Sequence, residues 1–257
     1  MLDGCRLSYF TGRQPPMLYA LISDIHGNLE ALTTAMASIK RARPDAIICL
    51  GDVVGYGANP EECAQIIREE ADFCLLGNHE AAVTGALEID YFSEYARVAV
   101  EWTIAQLSAA TREWLATLPY MSIINNEFQV VHGSLYHPDM FNYVSTVKDA
   151  RLNFVYMKKQ VLFLGHTHQP LTFFNTNPLR YSSAPELKLP AAGKTIVNVG
   201  SAGQPRDDNW LAAYVLYDSE KREISWRRLE YDVSATMRKI IAAQLPEALA
   251  LRLHFGR

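Results

Sequence analysis

The chain has 257 residues, 49% of them apolar and 20% charged, with a formal net charge of −4. That balance is ordinary for a soluble globular protein and excludes a disordered chain. No basic stripe runs through it, so no extended nucleic-acid surface is expected, whereas a small phosphate ligand drawn by a local metal charge stays compatible.

Residues 1–16 are irregular, lack a long apolar stretch and end in Pro15-Pro16. Neither a signal peptide nor a membrane span is expected there, and a cytoplasmic location is the expectation. They read as an N-terminal extension, either upstream of a start at Met17 or packed as an arm, followed by one domain over 17–257. Residues 17–23 (MLYALIS) are an apolar run and predict a buried strand. Residues 29–42 carry Leu29, Leu32, Ala35, Met36 and Ile39 at helical spacing behind Asn28, a plausible cap. Residues 46–50 (AIICL) predict a second strand. Asn59-Pro60-Glu61-Glu62 then starts a helix with a proline in its first turn and acids beside the positive end of the dipole. Residues 72–76 predict a third strand. Three apolar strands alternating with two helices imply a parallel sheet covered on both faces.

Residues 81–118 read as mostly helical, with helices over 95–107 and 111–118 stopped by Pro119. Strands are expected over 120–125 and 128–132, with a tight turn at Asn125-Asn126-Glu127. A short helix follows over 148–157. Further strands fall at 161–164, 171–175, 195–199, 212–217 and 223–229, and a helical segment over 233–251 is interrupted at Pro246. Of the four cysteines, Cys5, Cys49, Cys63 and Cys74, none forms a C-x-x-C pair. They read as reduced structural thiols. A chain of this length buries about three-quarters of its unfolded surface, so a metal here would serve chemistry rather than folding.

Five short stations carry the chemistry, and each follows a strand-like run. Asp24 and His26 stand two apart, the spacing that in an extended chain points side chains the same way. Asp52 follows Gly51 after the second strand. Gly77-Asn78-His79-Glu80 follows the third. His132 follows the run at 128–131, and Gly165-His166-Thr167-His168 repeats the two-apart spacing. Any one of these is an ordinary turn in many proteins. Together, at the ends of strands, they predict one cluster of carboxylate, amide and imidazole donors at a sheet edge, which is a metal site.

In this order, Asp24-x-His26, Gly51-Asp52-x-x-Gly55, Gly77-Asn78-His79-Glu80, His132-Gly133 and Gly165-His166-x-His168 resemble the calcineurin-like metallophosphoesterase superfamily. The stretches SDIHGNLEAL, GDVVGYG and GNHE look like its small bacterial branch, near the diadenosine-polyphosphatase and phosphodiesterase relatives. The resemblance implies an α/β four-layer sandwich of two mixed β-sheets flanked by helices. It also implies roles: Asp24, His26 and His168 on one metal, Asn78, His132 and His166 on the other, and Asp52 bridging. His79 would contact phosphate and act as an acid. The protein-phosphatase branch carries a phosphate-gripping arginine where this chain has Gly55-Tyr56-Gly57, and Arg206 is the candidate to replace it.

Two divalent ions with Asp24 and Asp52 leave a net charge of about +2, so the centre should attract a phosphate mono- or dianion. Water between the ions becomes hydroxide near neutral pH and attacks phosphorus in line. Mixed nitrogen and oxygen donors suit Mn, Fe, Zn or Co, with Mn favoured, over an all-oxygen Mg or Ca cage. The expected function is hydrolysis of a phosphodiester, a phosphomonoester or a nucleotide polyphosphate. Two alternatives stay open: a protein phosphatase, against which the missing arginine counts, and a non-catalytic scaffold, against which the complete ligand set counts. Loops near Tyr56, 136–143 and 178–190 would set the substrate.

Overall fold

A computed structural model describes residues 17–257; the expected extension at 1–16, with Cys5, lies outside the described residues. The first strand, β1 (Leu18–Ile22), leads into α1 (Leu29–Ala42), whose Asn28 side chain accepts the Ala31 N–H at 3.1 Å. Next come β2 (Ala46–Cys49), α2 (Pro60–Glu70) and β3 (Phe73–Cys74). These three strands pair in parallel, as their unbroken apolar runs require. A short helix, α3 (Asn78–Val83), starts three residues before the helical stretch expected from residue 81, and α4 (Glu94–Gln106) and α5 (Ala109–Ala116) fill the middle.

The second half supplies β4 (Met121–Ile124), β5 (Phe128–Val131), α6 (Val147–Tyr156), β6 (Val161–Leu164), β7 (Leu171–Phe174), β8 (Arg180–Ser182) and β9 (Glu186–Lys188). It closes with β10 (Thr195–Asn198), β11 (Ala212–Asp218), β12 (Glu223–Leu229), α7 (Val233–Ala242) and α8 (Glu247–Phe255). One six-stranded sheet runs β3-β2-β1-β11-β12-β9 and the other β4-β5-β6-β10-β7-β8. Both are mixed. In the first, β1 is parallel to β2 and antiparallel to β11; in the second, β10 is parallel to β6 and antiparallel to β7.

Strand alternation sorts the core into layers. Tyr19, Leu21 and Ile48 of the first sheet meet Phe128, Val130 and Phe163 of the second in one buried cluster between the sheets. Ala20, Ile22 and Cys49 point the other way, onto Leu32, Met36 and Ile39 of α1 and Cys63 and Ile67 of α2. Leu162, Leu164 and Ile196 pack outward onto Ala150 and Phe154 of α6. The order is therefore helix, sheet, sheet, helix, the four-layer sandwich expected from the sequence. Cys49, Cys63 and Cys74 are buried and unpaired. Among the described residues, no helix is long and apolar enough to cross a membrane.

Candidate metal centre

The carboxyl ends of β1, β2, β5 and β6 reach one edge of the sandwich, and the candidate side chains gather there. Asp24, His26, Asp52 and His168 each offer a donor atom within 4.8 Å of the others, and so do Asp52, His132 and His166. Asp52 belongs to both groups. All six are buried. Asn78, first residue of α3, completes the second group, its Oδ1 3.2 Å from His132 Nε2.

The backbone that aims them is not extended. Asp24, His26, Asp52, His166 and His168 have φ of 54°, 51°, 53°, 66° and 60°. This left-handed region costs a residue with a Cβ on the order of 1–3 kcal/mol and persists only where its surroundings hold it. The expectation that Asp24 and His26 converge through strand alternation is thus corrected. They converge because the loop after β1 is hydrogen-bonded to the loop after β2: Asp24 N–H to Gly51 O at 3.0 Å, His26 N–H to Asp52 O at 2.9 Å and Gly27 N–H to Val53 O at 2.9 Å. Gly165 permits the approach of the second sheet, since a Cβ there would sit 2.1 Å from Ser23 Oγ and 2.5 Å from Asp24 Oδ2. The His166 N–H in turn donates to the Asp24 carboxylate at 3.0 Å.

Three imidazoles share one hydrogen-bond pattern. Nδ1 of His26 faces Val54 O at 3.1 Å, Nδ1 of His132 faces Leu50 O at 2.8 Å, and Nδ1 of His168 faces Gln204 O at 2.6 Å. A carbonyl only accepts, so each Nδ1 carries a proton and each Nε2 is the atom turned inward. Those inward atoms crowd. His26 Nε2 lies 3.1 Å from His168 Nε2 and 3.6 Å from Asp52 Oδ2. His132 Nε2 lies 3.2 Å from Asp52 Oδ2, and His168 Nε2 3.2 Å from Asp24 Oδ1. Lone pairs and carboxylates facing one another at these distances repel unless a cation or proton lies between them. The donor set therefore fits divalent metal ions.

The acid–base properties of the metal-free cluster agree. Burial would raise the Asp52 pKa, but His132 and then His79 outweigh it and hold the carboxyl well below its usual range. Burial would raise Asp24 too, and His168 holds it down. Burial would lower the His132 pKa, but Asp52, and then Asp24, lift it to about 10. His166 is pushed down to about 3 by burial and then by His132, so it is neutral and ready to ligate.

His79 stands beside the cluster. Its ring lies 4.7 Å from that of His26 and 4.5 Å from that of Tyr56, and its Nδ1 is buried without a partner. Burial lowers its pKa to about 4, with Asp52 opposing and Arg206 adding. Gly55 makes room for it, because a Cβ there would meet Nδ1 at 2.1 Å. Arg206 arrives from the loop after β10. Its guanidinium lies 5.8 Å from the Tyr56 ring centre, and its Nη2 donates to Gln204 Oε1 at 2.8 Å.

Two contributors escaped the sequence reading. Glu80 is fully buried and takes four backbone N–H groups: Asp52 at 2.7 Å, Gly77 at 2.9 Å, Val53 at 2.8 Å and Val54 at 3.1 Å. It pins the loop that carries Asp52. The signal was present, for an acid three residues past a helix-opening glycine is placed to reach back to the cap. Tyr143 stacks on His166 with centroids 4.2 Å apart and planes 10° from parallel. Nothing in its spacing marks it.

Comparison with known proteins agrees with this geometry. Residues 17–188 match the family model described as calcineurin-like phosphoesterase. An uncharacterised protein of Methanocaldococcus jannaschii is 36% identical over 245 residues, covering 93% of this chain and 98% of its own. The crystal structure of a metallophosphoesterase from Sphaerobacter thermophilus superposes with a TM-score of 0.84 at 34% identity, covering 95% of this chain and all of that one. A hypothetical protein of Pyrococcus horikoshii shares the fold, with a TM-score of 0.75 at 20% identity over 93% of this chain and 98% of its own. With its sandwich, its buried cluster of aspartates and histidines and these matches, this chain belongs to the calcineurin-like phosphoesterase family.

Proposed function

We propose that this chain is a dinuclear metal-dependent hydrolase of phosphoric esters, with two transition-metal ions, Mn favoured, shared between its two donor groups. Asp24, His26 and His168 would hold one ion, Asn78, His132 and His166 the other, and Asp52 would bridge them. When bound, the ions would supply charge for the phosphoryl oxygens and a hydroxide for in-line attack. One observation carries the reading: three imidazoles tied by Nδ1 to backbone carbonyls turn their Nε2 atoms onto two buried carboxylates.

The remaining residues divide the work. Asp52 Oδ2 faces both His26 and His132, the position a bridging oxygen needs, while its Oδ1 accepts the His79 N–H at 3.0 Å. His79 is neutral in the free protein. A phosphate dianion beside it raises its pKa, so it holds a proton for the leaving oxygen once substrate is in place. Arg206, against Tyr56, provides the cation missing from Gly55-Tyr56-Gly57 and would grip a phosphoryl oxygen.

The test is hydrolysis of p-nitrophenyl phosphate and bis-p-nitrophenyl phosphate by protein stripped of metal and reloaded with Mn, Fe, Co or Zn. Turnover is expected with Mn, absent after chelation and lost in Asp52→Asn. No turnover with any metal would favour a scaffold that keeps the fold. A preference for phosphopeptides would move the assignment to a protein phosphatase.

A further inference from the structure

Four imidazoles belong to the donor groups, and three of them are held alike, by a hydrogen bond from Nδ1 to a loop carbonyl. His166 is the fourth. Its hydrogen bonds run from the backbone N–H to the two Asp24 carboxylate oxygens, at 3.2 and 3.0 Å, and among the described residues its ring nitrogens make none. An imidazole with no such tether keeps its side-chain rotation, and that freedom is lost whenever the ring takes up a cation.

What holds the ring of His166 is packing. Tyr143 lies flat against it, centroids 4.2 Å apart and planes 10° from parallel, and the His132 ring leans on it at 4.9 Å and 57°. Tyr143 is anchored from both sides in the chain. Val144 is buried with Ala150 and Phe154 of α6. Phe141 is buried too, and sets its ring edge-on to His132 with centroids 6.0 Å apart. The chain at Phe141 and Asn142 passes over Gly133, where a Cβ would come 3.0 Å from Asn142 O and 3.1 Å from the Phe141 carbonyl carbon. The loop that leaves His132 at the end of β5 thus returns to place one aromatic ring on His132 and another on His166. Tyr143 is 54% exposed, so it adds little to the core, and its ring partner is His166.

Resting on the dinuclear reading above, we propose that Tyr143 is a positioning residue for His166. Its ring does for this imidazole what a backbone carbonyl does for the other three, and so sets the affinity of the ion shared by Asn78, His132 and His166. That ion has one carboxylate, Asp52, against the two of its neighbour, Asp24 and Asp52. It is therefore the weaker held of the pair and the first to leave when a ligand loses its order.

Two measurements on the full chain test this. In calorimetric titration of metal-free protein with Mn, the wild type should take up two ions of unequal affinity. Tyr143→Leu should weaken the second uptake about tenfold, the lower end of what losing an outer support costs a metal site, and leave the first unchanged. Tyr143→Phe, which keeps the ring, should restore the second. Equal weakening of both ions, no weakening, or a Phe variant as weak as Leu would overturn the proposal. The second measurement needs no metal. NMR relaxation of the His166 ring should show added motion in Tyr143→Leu and wild-type behaviour in Tyr143→Phe, with the rings of His26 and His168 unchanged in both. A His166 ring that moves no more in Tyr143→Leu would overturn it as well. Should the wild type bind fewer than two ions, the dinuclear reading fails, and the ring motion alone decides whether Tyr143 holds His166. With half of Tyr143 in solvent, both variants should fold.

Discussion

An imidazole ligates a cation well when its other nitrogen is fixed, and His26, His132 and His168 are each fixed by a different loop carbonyl. Before metal arrives, His132 is the one that keeps a proton. Its pKa is raised from 6.5 to about 10, so the proton stabilises the metal-free fold fully below pH 6.5 and this contribution is lost as pH rises through the raised value. A metal ion removes that proton and its dependence. The difference in Tm between Mn-loaded and metal-free protein should therefore widen between pH 6.5 and about pH 9. Calorimetry at several pH values checks it, and a difference that shrinks over that range would contradict the proton's role. At the neighbouring position, His79→Ala should lower kcat by about 10²–10⁴ while metal content by mass spectrometry stays at the wild-type level. Loss of metal along with activity would instead make His79 a structural support.

At the scale of elements, the loops that follow strands decide the centre. Gly165→Ala would push a methyl group into Ser23 and Asp24. The fold should persist, because β6 and its layer are untouched, but metal affinity should fall at least tenfold in equilibrium dialysis, as displacement of a buried ligand by more than an ångström implies. Unchanged affinity would show that the two sheets can part without disturbing Asp24. Element type was largely legible: periodicity placed α1, α2, α4 and α6 and the strands from β4 to β7 within a few residues. β8 and β9 were missed, since three residues each, Arg180–Ser182 and Glu186–Lys188, are too few to show a period. The third strand was read too long because Leu75 and Leu76 are buried off the ladder as the chain leaves for α3. In the site, ligand types and order were legible. The left-handed backbone at Asp24, His26 and Asp52 was not, for it is imposed by bonds between loops rather than by local propensity.

For the whole molecule, the site is a seam. Asp24, His26 and Asp52 hang from one sheet, while His132, His166 and His168 hang from the other. Ions held by both would tie the sheets together, and at a free concentration one hundred times Kd each should add about 2.7 kcal/mol to stability. Urea unfolding with and without Mn measures this; an equal midpoint in both would mean that the cluster holds no ion.

His26 and His168, whose Nε2 atoms nearly touch, are 142 positions apart in the chain. Such a pair meets only after most of the loop entropy has been lost and both sheets have formed. The cation consequently arrives too late to guide assembly. In stopped-flow experiments Mn should leave the refolding rate unchanged and slow the unfolding limb, acting as a latch on a finished structure rather than as a nucleus for it.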